Sequence, residues 1–188
     1  MRPYLLMPLM LLVATSLAAC DYSDKDVHVD IDNYISIHSG SIAVHAPNRP
    51  DADISAAGDL SIAGKSVTVS PTQRDLLKHY YTTALTLRDH GIATGEAGAA
   101  VAGKALSSVA AGLASGNTDK IDAEVNASAA KVTAKAALIC DDLAEIRSTQ
   151  QTLAGQLEVM RPYALIKADE ADRCRAGLDK ANHSSTAH

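Results

Sequence analysis

The chain has 188 residues, a net charge of −5, three cysteines, six tyrosines, and neither tryptophan nor phenylalanine. A mildly acidic chain without a basic cluster is a poor binder of nucleic acid or anionic lipid heads. So few aromatics also disfavour a stacking platform for bases or sugars, and leave a core of Ala, Leu, Ile and Val.

Residues 1–19 read as a bacterial export signal. Arg2 starts it, Leu5 to Ala14 form an apolar run interrupted by Pro8, and Ser16, Ala18 and Ala19 supply small residues for cleavage. The run is far shorter than the ~20 residues that span a bilayer. Leu17-Ala18-Ala19-Cys20 then resembles the lipobox of bacterial lipoproteins, in which the cysteine is acylated and the leader is cut before it. That resemblance implies lipidation at Cys20 and a membrane anchor, since two or more acyl chains hold stably where one does not. It places the protein in the bacterial cell envelope facing the periplasm. Asp21 resembles the signal that retains such proteins at the inner membrane. The mature chain has 188 − 19 = 169 residues, and loss of Arg2 takes its charge to −6. One domain is expected, entered through a tether over 20–26.

Residues 27–69 form the β-hairpin region. Val27, Val29 and Ile31 alternate with His28, Asp30 and Asp32, and Ile35, Ile37, Ile42 and Val44 extend the apolar set. Beyond a loop with Pro47 and Pro50 come ADIS, LSIA and SVTVS, separated by Gly58-Asp59 and Gly64-Lys65. Gly followed by a polar residue suits a type II′ turn, so two small antiparallel hairpin units are expected. His28, Asp30, His38 and His45 would share their polar face. Those residue types suit zinc or copper, but alternation alone puts polar residues there and no ligand spacing is diagnostic. The solvated face is the reading adopted, with a periplasmic metal- or small-ligand-binding protein as the alternative function.

Residues 70–180 form the helical region. Ser70-Pro71-Thr72-Gln73 is a capping box with proline at the first helical position. Leu76, Leu77, Tyr80, Ala84 and Leu87 make an apolar stripe that Gly91 is expected to stop. A second helix, rich in Ala and Gly, runs from Ile92 to Ser115, and a third begins near Thr118. The third carries a seam at Val132, Ala136, Ile139, Leu143, Ile146, Leu153, Leu157 and Met160, broken by Gln150. The seam is a bundle face or a coiled-coil face, and a partner or self-association through it is expected. The tail from 181 to 188 is expected to be disordered.

With Cys20 acylated, Cys140 and Cys174 remain for a disulfide in an oxidising compartment. A straight hairpin joining them turns at residue 157, whereas the obvious breaker is Pro162. The helix therefore breaks near Gly155 to Glu158, the return is irregular, or the two cysteines do not pair; the early break is favoured. GDLSIAGKS, residues 58–66, has one residue too many between its glycines for a phosphate loop and lies between strands. The Gly/Ala stretch 91–116 invites comparison with membrane helix interfaces, but Glu96 and Lys104 fall inside it, so packing against the other helices is preferred. No HExxH, GxSxG, CxxC or nucleotide fingerprint occurs, so neither a catalytic activity nor a cofactor is expected.

The segment GDLSIAGKSVTVSPTQRDLLKHYY through GIATGEAGAAVAGKALSSVAAGLASGN resembles the YggN-like bacterial envelope proteins, a family of unknown function. The resemblance rests on Asp59 to Val69, Ser70 to Tyr81 and Gly91 to Gly116, with the later Arg161 to Ala164 also similar. It covers the chain from Asp53 onward and leaves out the His/Asp-rich strands before it. It implies an envelope location and transfers no catalytic residue. The fold class expected is α+β, short antiparallel hairpins followed by a helical hairpin or bundle.

Overall fold

The computed structural model of the chain describes residues 30–31, 34–115 and 119–185. Its strands are β1 (Asp30–Ile31), β2 (Ile35–His38), β3 (Ser41–Val44), β4 (Ala52–Ser55), β5 (Leu60–Ile62) and β6 (Lys65–Val67). Three helices follow, α1 (Pro71–Ser115), α2 (Asp119–Gln156) and α3 (Glu170–Ser185), with a 3-10 turn (Glu158–Tyr163) between the last two. The fold is α+β.

The strands make one antiparallel meander in the order β1 to β6, not two separate hairpin units. The register explains why the units fuse. Ile42 opposes Ile37 on one side and Ile54 on the other, and Ile54 opposes Leu60. Joining β3 to β4 thus makes a continuous apolar row that no single hairpin could bury. Ile35, Ile42, Val44, Ala52 and Ile54 are fully buried, packed with Leu77, Tyr80, Ala84, Ile146 and Leu153 of the helices.

The last turn differs from expectation in its residues. Ile62 pairs with Lys65, so Ala63 and Gly64 are the two turn residues, both at positive φ (51° and 71°). That is the signature of a type I′ turn, whose twist matches the flanking strands. Gly58 is set by a different demand. It lies at φ +76°, and a Cβ there would strike the Arg74 carbonyl oxygen and come within 2.9 Å of Lys78 Cγ. The missing side chain lets the sheet sit directly on the first turns of α1. Gly58→Ala is expected to destabilise the fold by about 2–3 kcal/mol from backbone strain and overpacking. Chemical denaturation with an unchanged m-value measures it.

Helix α1 begins where the capping box predicts. Gln73 Oε1 accepts the Ser70 N–H at 2.9 Å, and the Gln73 N–H donates to Ser70 Oγ at 3.2 Å. It does not stop at Gly91. A lone helical glycine costs only ~1 kcal/mol, and contacts on both sides carry the helix across it. His90 Nδ1 meets Asp142 of α2 at 2.6 Å, and Thr94 donates back to the His90 carbonyl at 2.7 Å. The two expected helices are therefore one of 45 residues, about 67 Å long. α1 and α2 form an antiparallel hairpin whose base packs on the sheet. Its distal part, an arm, contains no buried side chain among the described residues between Arg88 and Ile139.

α2 ends at Gln156, the early break, and the 3-10 turn carries Pro162. The tail expectation is corrected over its first residues: α3 runs to Ser185. Cys174 and an Arg175–Asp141 ion pair at 2.8 Å secure its start, and Thr133 reaches Asn182 near its end. No described helix is long and apolar enough to cross a membrane.

Candidate functional site

Cys20 and His28 lie outside the described residues, as do the leader and the tether. Cys140 and Cys174 are joined in a disulfide with Cα atoms 5.6 Å apart, fixing α3 on α2. The break at Gln156 supplies the alignment that a turn at Pro162 would have denied.

From Ile139 onward the seam of α2 is occupied by the chain itself. Ile146, Leu153 and Met160 are buried, with Ile139, Leu143 and Leu157 packed against them. Gln150, the apparent interruption, is 1% exposed. Its Nε2 donates to Tyr80 Oη at 2.6 Å, and its Oε1 accepts the Ile166 N–H at 3.2 Å. One side chain thus ties α1, α2 and the return segment together. Burial pushes the Tyr80 phenol well above its ordinary value of 10.0, partly offset by the Gln150 bond. A raised tyrosine pKa favours the folded state fully below pH 10 and withdraws that stability as pH rises through the folded value. Stability is expected to decline above pH 10 in wild type and to decline less in Tyr80→Phe, read by denaturant midpoints on either side of pH 10.

On the polar face of the sheet, the register puts Asp30 opposite Ser36 and Asp53 opposite Ala43. His38 opposes Ser41, while His45 lies four residues beyond Ser41, just past the end of β3. The two histidines are therefore about 13 Å apart along the strand direction. His45 is also engaged. Its Nε2 is 2.7 Å from Ser36 Oγ, and its Nδ1 is 2.8 Å from Asp51 Oδ1. Among the described residues, no group of three His, Cys, Asp or Glu side chains is placed to hold a metal ion.

The Ser36–His45–Asp51 trio went unnoticed in the sequence because nine and six residues separate its members. The signal was there: His45 and Asp51 flank the Pro47–Pro50 loop, which must fold back for β3 to meet β4. The order of contacts is that of a serine nucleophile, its base and an orienting carboxylate. Ser36, however, is 2% exposed, within a central strand. An acyl substrate needs an open approach to the hydroxyl, so the trio as folded is a tie between β2 and the β3–β4 loop. Tyr163 reinforces that loop by donating to the Pro50 carbonyl at 2.6 Å.

A further polar arrangement lies where sheet meets helix. Asp59 bonds Arg74 and accepts from Ser55 at 3.3 Å, and the Arg74 contact holds the Asp59 carboxyl below its usual range. Gln73, besides capping α1, donates its Nε2 to the Gln156 carbonyl, 2.9 Å away, at the C-terminus of α2. Asp59, Leu60, Gly64, Ser70, Gln73 and Tyr80, which carry the family resemblance, are each used in a turn, a cap, an ion pair or the core.

These features define an α+β protein in which a meander sheet caps the base of a helical hairpin. The chain belongs to a family of proteins of unknown function, DUF2884, which matches residues 27–120. The matched span takes in the His/Asp-rich strands that the sequence resemblance left out, and stops before Cys140, Arg161–Ala164 and Cys174. No curated protein and no solved structure matches the chain.

Proposed function

We propose that the chain is a lipid-anchored protein of the bacterial cell envelope, facing the periplasm and acting through protein–protein contacts. The observation that carries this reading is Leu17-Ala18-Ala19-Cys20 at the end of a short apolar run. Acylation of Cys20 would fix the domain to a bilayer, and Asp21 favours the inner membrane. The Cys140–Cys174 bridge supports an oxidising compartment. The helical arm supports action by contact, because it leaves Leu106 and Val109 open among the described residues. No catalytic step is assigned.

Intact mass of the protein extracted from membranes tests the anchor. The expected mass is that of residues 20–188 plus a diacylglyceryl group on the Cys20 sulfur, with or without one acyl chain on its amine, and Cys20→Ser should carry neither. An unmodified thiol at Cys20, or an uncut leader, would overturn the reading.

A further inference from the structure

On α1, the positions Ile92, Gly95, Ala99, Ala102, Leu106 and Val109 recur at intervals of three, four, three, four and three. This is the a/d spacing of a coiled coil. The seam lies on the flank of α1, about 100° round the helix from the side nearer α2. Gly95, Ala99, Ala102, Leu106 and Val109 are exposed, whereas Thr94, Gly98, Val101, Ala105 and Ser108, on the side of α2, are half-buried. Leu106 is 74% and Val109 52% exposed, two of the four large apolar side chains left open among the described residues. An arm with no buried side chain among its described residues gains little stability from its own packing, and helices of this composition depend on burial of an apolar face. The seam is a surface in want of a cover.

We infer that the cover is the same seam on a second copy of this chain, running antiparallel. This deepens the contact-based reading above and rests on its claim for the arm, not on the anchor. Placing a positions against d positions about a two-fold axis between Ala99 and Ala102 sets Ile92 against Val109 of the second copy. It sets Gly95 against the second copy's Leu106, and Ala99 against its Ala102. The largest side chain thus meets the residue with none, and a Cβ at Gly95 meets nothing within 4 Å in the single chain. A parallel pairing would oppose Gly95 to Gly95 and Leu106 to Leu106, forcing one axis separation on layers of unequal size. It would also crowd the two sheets together, since the sheet-packed part of α1 reaches Leu87. The antiparallel axis lies about 20 Å beyond Leu87 and so holds the two bodies about 40 Å apart.

Charge raises no barrier, because Glu96 and Lys104 are the only charges from 91 to 118 and sum to zero. A lipid surface is the poorer occupant. Membrane-lying helices set Trp, Phe or Leu against a Lys/Arg-rich polar face, and this seam is half Gly and Ala.

Sedimentation equilibrium of the Cys20→Ser chain, with its leader removed, tests the pairing. A reversible dimer is expected, weakened at least ~10-fold by Leu106→Glu, which adds about 1.4 kcal/mol or more to the dissociation free energy. Gly95→Leu should weaken it similarly while leaving thermal unfolding of the dilute chain unchanged or raised, since the site is open and glycine is the weaker helix former. Spin labels on Ser107→Cys should lie about 20 Å apart between copies in the antiparallel dimer, against about 10 Å in a parallel one. A chain monomeric at all concentrations, a dimer indifferent to both substitutions, a parallel label distance, or association only with phosphatidylethanolamine–phosphatidylglycerol vesicles would each overturn the inference. A monomer whose membrane-extracted form carries acyl chains would refute the pairing and leave the anchor standing.

Discussion

Gln150→Leu is expected to lower the unfolding free energy by about 3–5 kcal/mol, although leucine suits the α2 seam better by pattern. The substitution leaves the Ile166 N–H without its acceptor and removes the donor to Tyr80 Oη, both in a buried setting. Each orphaned group costs about 1–3 kcal/mol, more than the added apolar area returns. Tyr80→Phe should cost less, about 1–2 kcal/mol, because Gln150 keeps its bond to Ile166 and loses one partner only. The two changes share a network, so their double variant should be less unstable than the sum of the singles. Urea denaturation of all three with a double-mutant cycle measures this. A Gln150→Leu chain as stable as wild type would show that the seam is an ordinary apolar stripe.

Loss of the Cys140–Cys174 bridge is the second large effect. The bonded cysteines are 34 residues apart in sequence, and closing a loop of that size contributes about 3–4 kcal/mol. The consequence should be local as well as global. α3 buries only Ala171 among its described apolar side chains, and exposed polar contacts, among them Arg175 to Asp141 and Asn182 to Thr133, add to the bridge. In Cys140→Ala/Cys174→Ala, amides of Glu170–Ser185 should lose hydrogen-exchange protection before those of α1 or the sheet. Uniform loss of protection through the domain would contradict this.

The local grammar of the chain was readable from its residues. The period-two run to Val69 gave the strands, Ser70-Pro71-Thr72-Gln73 gave the start of α1, and the three-four spacing from Val132 gave the face of α2. Each is set by neighbours a few residues away. The cysteine arithmetic favoured a break near Gly155 to Glu158 over an irregular return or unpaired cysteines, because a covalent bond limits how far two helices can slip past each other; the helix ends at Gln156.

What the residues alone left open depended on partners remote in the chain. Gly91 reads as a stop, but His90 and Asp142, 52 residues apart, hold the helix across it. Gln150 reads as a flaw until Tyr80 and Ile166 surround it. The two hairpins read as separate because nothing local shows that Ile42 and Ile54 would share one apolar row. Ser36, His45 and Asp51 show no relation until the Pro47–Pro50 loop folds back. Pattern and propensity fixed which residues turn inward, since these follow from backbone geometry at short range. Only the folded chain decided which of them meet, because burial energy depends on surfaces that distant segments bring together.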